Sequence, residues 1–255
     1  MLLNFYQDQN LQTGKEIINA ALAERSSGRI YTSNFLDVNF QLPEDADEGE
    51  KVRFQRRVLF YRALLNEAGF GKPPQKEARL KGLFNEGMRK ALRSGKGKDP
   101  DKYQACAAIL EKEFASWTEV AQAGKILQEF IEDKSSGYQE FETEYVKKST
   151  SGFWADDSLK KTLGIWGYPN GPKLVGAVKE QHTSDTSTDY ADDIYAHVRA
   201  GRLVIIDQSS GNAEINKAAA DRIILRIFEK NKALFRQGQK RPEILVYIEG
   251  IYSWG

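Results

Sequence analysis

The stretch Leu203-Val204-Ile205-Ile206-Asp207 is an unbroken apolar run that ends in an acid. A second run of this kind, Ile244-Leu245-Val246-Tyr247-Ile248-Glu249, lies near the end of the chain. Residues 213–236 lie between the two runs and repeat apolar side chains every four residues, as an amphipathic helix does. Apolar strands joined by a long helix are typical of a βαβ unit in a parallel sheet. The sequence therefore predicts an α/β fold.

Upstream of these runs the pattern is mainly helical. Residues 2–6 and 174–178 are predicted as further short strands, and residues 14–25 as a helix. From residue 51 the apolar side chains keep helical spacing, which predicts a large helical insertion over residues 51–165. Four helices are expected within residues 51–134, including one over 75–92, and no strand. The acidic stretch 43–50 is predicted to be a surface loop that caps the next helix.

Composition excludes several classes of protein. The chain has 255 residues, and 37 Lys and Arg against 36 Asp and Glu leave a formal net charge of +1. This balance excludes a polycationic tail and gives no global charge argument for nucleic acid. Cys106 is the only cysteine, so an internal disulfide and a cysteine zinc site are excluded. Without a signal peptide pattern or an apolar run of about 20 residues, the expected location is the cytoplasm.

Two acids end the two apolar runs at positions where α/β proteins bind ligands. Asp207 and Glu249 would lie at the carboxyl ends of neighbouring strands. An acid in this position is how a Walker B strand holds Mg²⁺ beside the phosphates of a nucleotide. Asp207 has an alternative interpretation, in which its carboxylate accepts from the amides of Ser209 and Ser210 and caps a turn.

Two catalytic motifs, the P-loop and the nucleophile elbow, are absent from the sequence. Five Gly-Lys pairs occur and none is followed by Ser or Thr, so the chain contains no P-loop. A Ser/His/Asp triad using His182 or His197 stays open, although no nucleophile elbow supports it. The basic stretches 72–81 and 89–102 fit either a DNA-backbone surface or a solvated helix face.

Two arginines of the predicted long helix also have two interpretations. Arg222 and Arg226 lie one helical turn apart. They could reach a phosphate or a neighbouring subunit. Alternatively, they pair with nearby acids such as Asp221 and Glu229.

The C-terminal part of the chain resembles a known family. The residues that carry the resemblance are Asp192-Asp193-Ile194-Tyr195, Gly201 to Gly211 with its Asp207-Gln208-Ser209-Ser210-Gly211 motif, Asn216-Lys217, Ala220-Asp221-Arg222-Ile223, Ile227-Phe228 and Ile244 to Glu249. They look like the C-terminal half of HerA-type ATPases, which belong to the HerA/FtsK superfamily of DNA translocases and helicase-like motors. The match is dense over residues 188–249 and looser upstream.

The resemblance implies a partial RecA-like parallel sheet interrupted by the helical insertion. Residues 1–50 would begin the ATPase core, and residues 166–255 would form its C-terminal part, ending at a Walker B-like strand. The intact family would bind ATP and Mg²⁺ between subunits of a hexameric ring and move duplex DNA. By resemblance, Glu249 would be the catalytic and metal-binding acid, and Asp207, Gln208 and Arg222 would face the nucleotide.

The chain also departs from the family pattern. Gly250 stands where the family has a second acid, and the P-loop is missing. These departures predict a fragment of an ATP-dependent DNA translocase that binds neither ATP nor Mg²⁺ and is inactive alone. The alternative is a non-enzymatic helical interaction module, or a dominant partner of an intact motor.

Overall fold

A computed structural model describes residues 3–23, 35, 37–149, 152–184, 189–207 and 213–247. The chain divides into two compact units, residues 2–187 and residues 188–255.

The larger unit is a helical assembly. Its helices are α1 (Leu11–Ala23), α2 (Glu48–Glu67), α3 (Glu86–Leu92), α4 (Pro100–Leu110), α5 (Trp117–Glu132), α6 (Tyr138–Lys148), α7 (Asp157–Gly164) and α8 (Gly171–Val175). Shorter 3-10 turns occupy Asp8–Asn10, Ile165–Gly167 and Gly176–Gln181. The predicted helix near residues 14–25 and the helical character of much of residues 51–134 are confirmed.

Local sequence sets where several helices begin. The Asp47 carboxylate accepts from the Glu50 amide, and the Glu50 carboxylate accepts from the Asp47 amide, which makes a capping box at the start of α2. Ser116 and Glu119 form the same arrangement at the start of α5. The acidic stretch 43–50 therefore caps a helix, as predicted.

Helix α2 lies in the middle of the larger unit, packed against α5, α7 and α8. Its Phe60 ring is fully buried and meets the rings of Phe84 and Trp166 at centroid distances of 6.0 and 6.4 Å. Helix α5 passes close by because it carries Gly124, where a Cβ would lie 2.8 Å from the Trp166 ring and 3.0 Å from Phe60. A larger residue at Gly124 would push α5 away from α2.

A small sheet lies inside the stretch that was predicted to be helical. Strands β1 (Ala78–Arg79) and β2 (Phe114–Ala115) pair antiparallel, with Ala78 opposite Ala115 and Arg79 opposite Phe114. The predictions of a helix over 75–92 and of no strand within 51–134 are therefore wrong. Only Glu86–Leu92 is helical, because Gly82 with φ +84° makes a turn before Asn85 caps α3.

The smaller unit pairs two helices, α9 (Tyr190–Arg199) and α10 (Ala213–Arg236). Glycines with positive φ follow both helices, Gly201 at 75° and Gly238 at 65°. This backbone conformation costs glycine little, so each glycine ends its helix. The predictions of helices over residues 189–200 and 213–236 are confirmed.

The prediction of an α/β fold with a partial RecA-like parallel sheet is wrong. The structure is 61% helical, and the only sheet in the described ranges is the antiparallel pair β1–β2. Residues 174–178 are helical, and Leu3 makes one isolated parallel bridge with His182. Residues 203–207 and 241–247 have no backbone hydrogen bond in the part of the chain that is described. Apolar runs predict burial, but a strand also requires a partner, and no partner strand is present in the described ranges.

Candidate functional site

The residues predicted to face a nucleotide are placed as follows. Asp207 ends an exposed, unpaired segment of the smaller unit. Arg222 lies on α10, where its guanidinium contacts Asp189. Gln208 and Glu249 lie outside the described residues. The structure thus assembles no nucleotide site from the two described members, and a phosphate would have to compete with Asp189 for Arg222.

Asp189 is the centre of an ionic cluster that joins α9 to α10. Its carboxylate is buried, with 1% of the side chain exposed. Arg222 donates from Nη2 to Oδ2 at 2.5 Å and from Nε to Oδ1 at 3.4 Å, and Arg226 donates from Nη2 to Oδ2 at 3.0 Å. Asp192 extends the cluster to Lys230 at 3.1 Å. Two cations on one helix are therefore held by an acid at the start of the other.

The electrostatics of Asp189 reflect its position as the N-cap residue of α9. Burial raises the pKa of the Asp189 carboxyl, but the Ala191 amide and the Arg222 and Arg226 guanidinium groups outweigh burial, so this pKa lies below its usual value. Burial raises the pKa of the neighbouring Tyr190 to about 12. The cluster therefore holds a stable carboxylate, which makes Asp189 a structural anion and a poor proton donor.

The interpretation of Arg222 and Arg226 as partners of nearby acids is thereby supported. Arg226 also lies 3.7 Å from Glu229, one of the acids considered from the sequence. The main acid, Asp189, was missed because it is 33 positions before Arg222 in the sequence. The sequence clue to a role for Asp189 was its position directly before a predicted helix, where Asp is a favoured N-cap residue.

The smaller unit displays two apolar segments that are neither helix nor strand, residues 203–207 and 243–247. Leu203 and Ile205 are 88% and 85% exposed, and Leu245 and Tyr247 are 95% and 83% exposed. Neither segment makes a backbone hydrogen bond within the described part of the unit. Together they present apolar side chains and unpaired backbone groups, which is how an open strand edge binds another strand.

Helix α10 adds an exposed apolar face to this unit. Leu225, Phe228 and Phe235 are 56%, 62% and 64% exposed. Phe228 and Phe235 also line an open cavity between α10 and residues 238–243, with a volume of about 1050 Å³. We name residues 203–207, residues 243–247 and these three side chains of α10 the apolar surface. Exposed apolar groups in this number are typical of a protein-binding site.

The histidines considered for a catalytic triad have structural roles. His182 Nδ1 accepts from the Phe5 amide at 3.2 Å, and its ring packs edge-on against Tyr6 at 5.2 Å. Burial lowers the pKa of His182, so the neutral ring is favoured. His197 lies 3.0 Å from an Arg202 nitrogen. In the described ranges no three His, Cys, Asp or Glu side chains gather as metal ligands.

The basic stretch 89–102 carries interleaved ion pairs. Arg89 contacts Glu86 at 2.8 Å, Arg93 contacts Glu111 at 2.5 Å and Lys96 contacts Glu140 at 2.6 Å. Lys102 contacts Asp99 at 3.0 Å. These contacts favour the interpretation as a solvated helix face over a surface for DNA phosphates.

Three arginines of α2 form a second polar cluster that the sequence did not reveal. Arg53, Arg56 and Arg57 are each less than 9% exposed. Arg56 donates to the carbonyls of Leu83 and Trp154 at 2.7 and 2.6 Å. Arg57 donates to the Asn39 carbonyl and to Asp156. Most of their hydrogen bonds end on loop carbonyls, so the cluster fastens loops to α2.

Comparison with known proteins identifies no relative. The chain matches no family model, no curated protein and no solved structure. Among the described helices, none combines the length and apolar character that crossing a bilayer requires.

Proposed function

We propose that this chain is a non-catalytic, partner-binding component of an ATP-driven DNA-translocating assembly, and that it binds its protein partner through the apolar surface. The observation that carries this proposal is the exposure of the two apolar segments, with Leu203 at 88% and Leu245 at 95%. The resemblance of residues 188–249 to HerA-type ATPases supports the choice of partner, a subunit of such a motor.

The chemistry of the apolar surface favours a protein over DNA as the partner. DNA is bound through cations that neutralise phosphates, whereas the exposed side chains of residues 203–206 and 244–247 are aliphatic or aromatic. A partner strand would satisfy the unpaired backbone groups and remove apolar area from water, which is strand addition to an open edge. The lone Cys106 supports a reducing, cytoplasmic setting.

The first prediction tests the apolar surface directly. The double substitution Leu203→Lys with Leu245→Lys places charge on both segments without touching a buried side chain. We expect the unchanged chain to self-associate at micromolar concentration and the double variant to sediment as a monomer, since charges on open edges prevent pairing. Tagged chain should also retain an intact HerA-type ATPase, and the double variant should lose most of that binding.

The double substitution Ala196→Lys with Gln237→Lys is the matched control, because it adds the same charge at two exposed positions of the same unit that lie outside the apolar surface and do not line its cavity. It should leave self-association and partner binding unchanged. A clean monomer of the unchanged chain that retains no ATPase would overturn the proposal.

The second candidate function is that of the motor ATPase itself. Its support is the Walker B-like run 244–249, with ATP and Mg²⁺ as the cofactors that the resemblance implies and Glu249 as the acid. The geometry favours it less, because Arg222 is already held by the buried Asp189.

The second prediction concerns catalysis. We expect no ATP hydrolysis above background by the purified chain, because the sequence has no P-loop lysine for the phosphates and carries Gly250 in place of a second acid. Phosphate release from radiolabelled ATP measures this. Turnover that survives purification and disappears in Glu249→Gln would instead establish the motor ATPase as the function.

A further inference from the structure

A groove in the larger unit lies between one face of α2 and the edge of β1. Its α2 wall carries Phe54, Val58 and Leu59, and its opposite wall is formed by residues on and around β1: Gln75, Glu77, Ala78, Arg79 and Lys81. The groove has a volume of about 710 Å³, within the range of ligand-binding clefts. Val58 and Leu59 are buried, so the floor is apolar. We name this feature the β1 groove.

One edge of β1 has free backbone groups at Arg79, a residue that lines the groove. The Leu80 amide donates to the Glu113 carbonyl at 2.8 Å. Residue 80 therefore forms a hydrogen-bonded pair with residue 113, and residue 78 forms one with residue 115, in the antiparallel ladder. Arg79 lies between them, so its amide and carbonyl point away from β2. Neither group has a partner in the described ranges, and the same holds for the backbone of Glu77.

One end of this edge is held in place by a tryptophan. Trp117 Nε1 donates to the Gln75 carbonyl at 2.8 Å. The indole is buried and also lines the groove. The Gln75 backbone, which lies in a bend just before β1, is therefore fixed before any ligand arrives, and this lowers the entropic cost of binding.

Charge along the groove favours an acidic ligand. Four cations line it, Lys51, Arg62, Arg79 and Lys81, against two acids, Asp8 and Glu77. Three of these cations already contact an acid: Lys51 contacts Glu48 at 2.7 Å, Arg62 contacts Asp8 at 3.0 Å and Lys81 contacts Glu113 at 3.5 Å. Arg79 is exposed and makes no ion pair with any described residue. An acidic side chain laid along the edge would meet Arg79 first.

We propose that the β1 groove binds an extended acidic segment of a protein partner by adding it as a strand to the free edge of β1. Side chains of a strand alternate between its two faces. Alternate apolar side chains of the ligand would contact Val58, Leu59 and Trp117. The acidic side chains between them would contact Arg79 and the neighbouring cations. The site is distinct from the apolar surface and does not depend on it.

The third prediction is tested with the full chain, tethered sparsely to a sensor so that copies do not meet. The probe is a blocked seven-residue peptide of alternating aspartate and valine. We expect it to bind, and Arg79→Glu to weaken binding by about tenfold or more, since like charges face each other at the site. Lys76→Glu is the matched control, because Lys76 is exposed, makes the same change of charge and does not line the groove.

Two measurements separate strand addition from simple charge attraction. The peptide methylated on the amides of one edge should fail to bind, and hydrogen exchange of the Arg79 amide should slow by about tenfold or more on binding the unmodified peptide. The proposal is overturned if the peptide does not bind, if both charge variants bind equally, or if the Arg79 amide exchanges unchanged. Tighter binding of an acidic helical peptide, or occupation of the groove by a second copy of the chain, would also overturn it.

Discussion

Asp189→Ala is expected to unfold the smaller unit, with a loss of about 3 kcal/mol in its free energy of unfolding. The substitution removes the carboxylate that Arg222 and Arg226 both contact, and leaves both guanidinium groups facing a site where Asp189 is 1% exposed. It also removes the side-chain cap of α9, which adds to the loss. The side chains of Arg222 and Arg226 are 16% and 26% exposed. The loss in free energy of unfolding should therefore lie at the lower end of the range for broken buried ion pairs.

Amide hydrogen exchange over residues 190–199 and 219–236 measures this fourth prediction. Asp189→Asn should fall between the unchanged chain and the alanine variant, since asparagine keeps the cap and loses the charge. Asp221→Asn is the control, because Asp221 is an exposed acid on α10, the helix that carries Arg222 and Arg226. Equal protection in the alanine variant and the unchanged chain would mean that the cluster does not hold α9 to α10.

Trp154→Ala is expected to lower the free energy of unfolding of the larger unit by about 4 kcal/mol. The Trp154 ring is fully buried, with Phe84 and Phe141 at centroid distances of 6.2 and 5.9 Å. The Arg56 guanidinium lies 4.4 Å from the ring centroid, so truncation leaves both a cavity and a buried cation that has lost its aromatic neighbour.

Urea unfolding followed by far-ultraviolet circular dichroism measures this fifth prediction. The adjacent Phe153→Ala is a matched control, because it truncates a ring that is 58% exposed and should cost less than about 1 kcal/mol. Similar losses for the two variants would contradict the packing around Trp154.

The sequence predicted best those helices that are specified by residues within the helix itself or next to it. Residues 213–236 repeat apolar side chains at helical spacing, and Asp47 with Glu50 carries its own capping signal. The prediction of a helix over residues 75–92 was wrong because the structure there depends on a distant segment. Its apolar spacing fits a helix, but β1 is held by pairing with β2, more than 30 residues later in the chain. Contacts between distant segments leave no local pattern to read.

The same distinction explains what was found at the candidate sites. Arg222 was recognised as a functional or ion-pairing residue because it lies one turn from Arg226, a spacing that the sequence contains. Its partner Asp189 and the β1 groove arise from tertiary contacts. Asp207 illustrates a third case, because its strand-end position was inferred from an apolar run, and the structure leaves that run unpaired in the described part of the smaller unit.

The apolar surface affects how long the protein would persist in a cell. Apolar segments with free backbone groups, such as the one around Leu245, are what chaperones and quality-control proteases engage. A copy without its partner would be removed, and a copy in complex would be spared. The cellular amount of this chain would then follow the supply of the proposed partner.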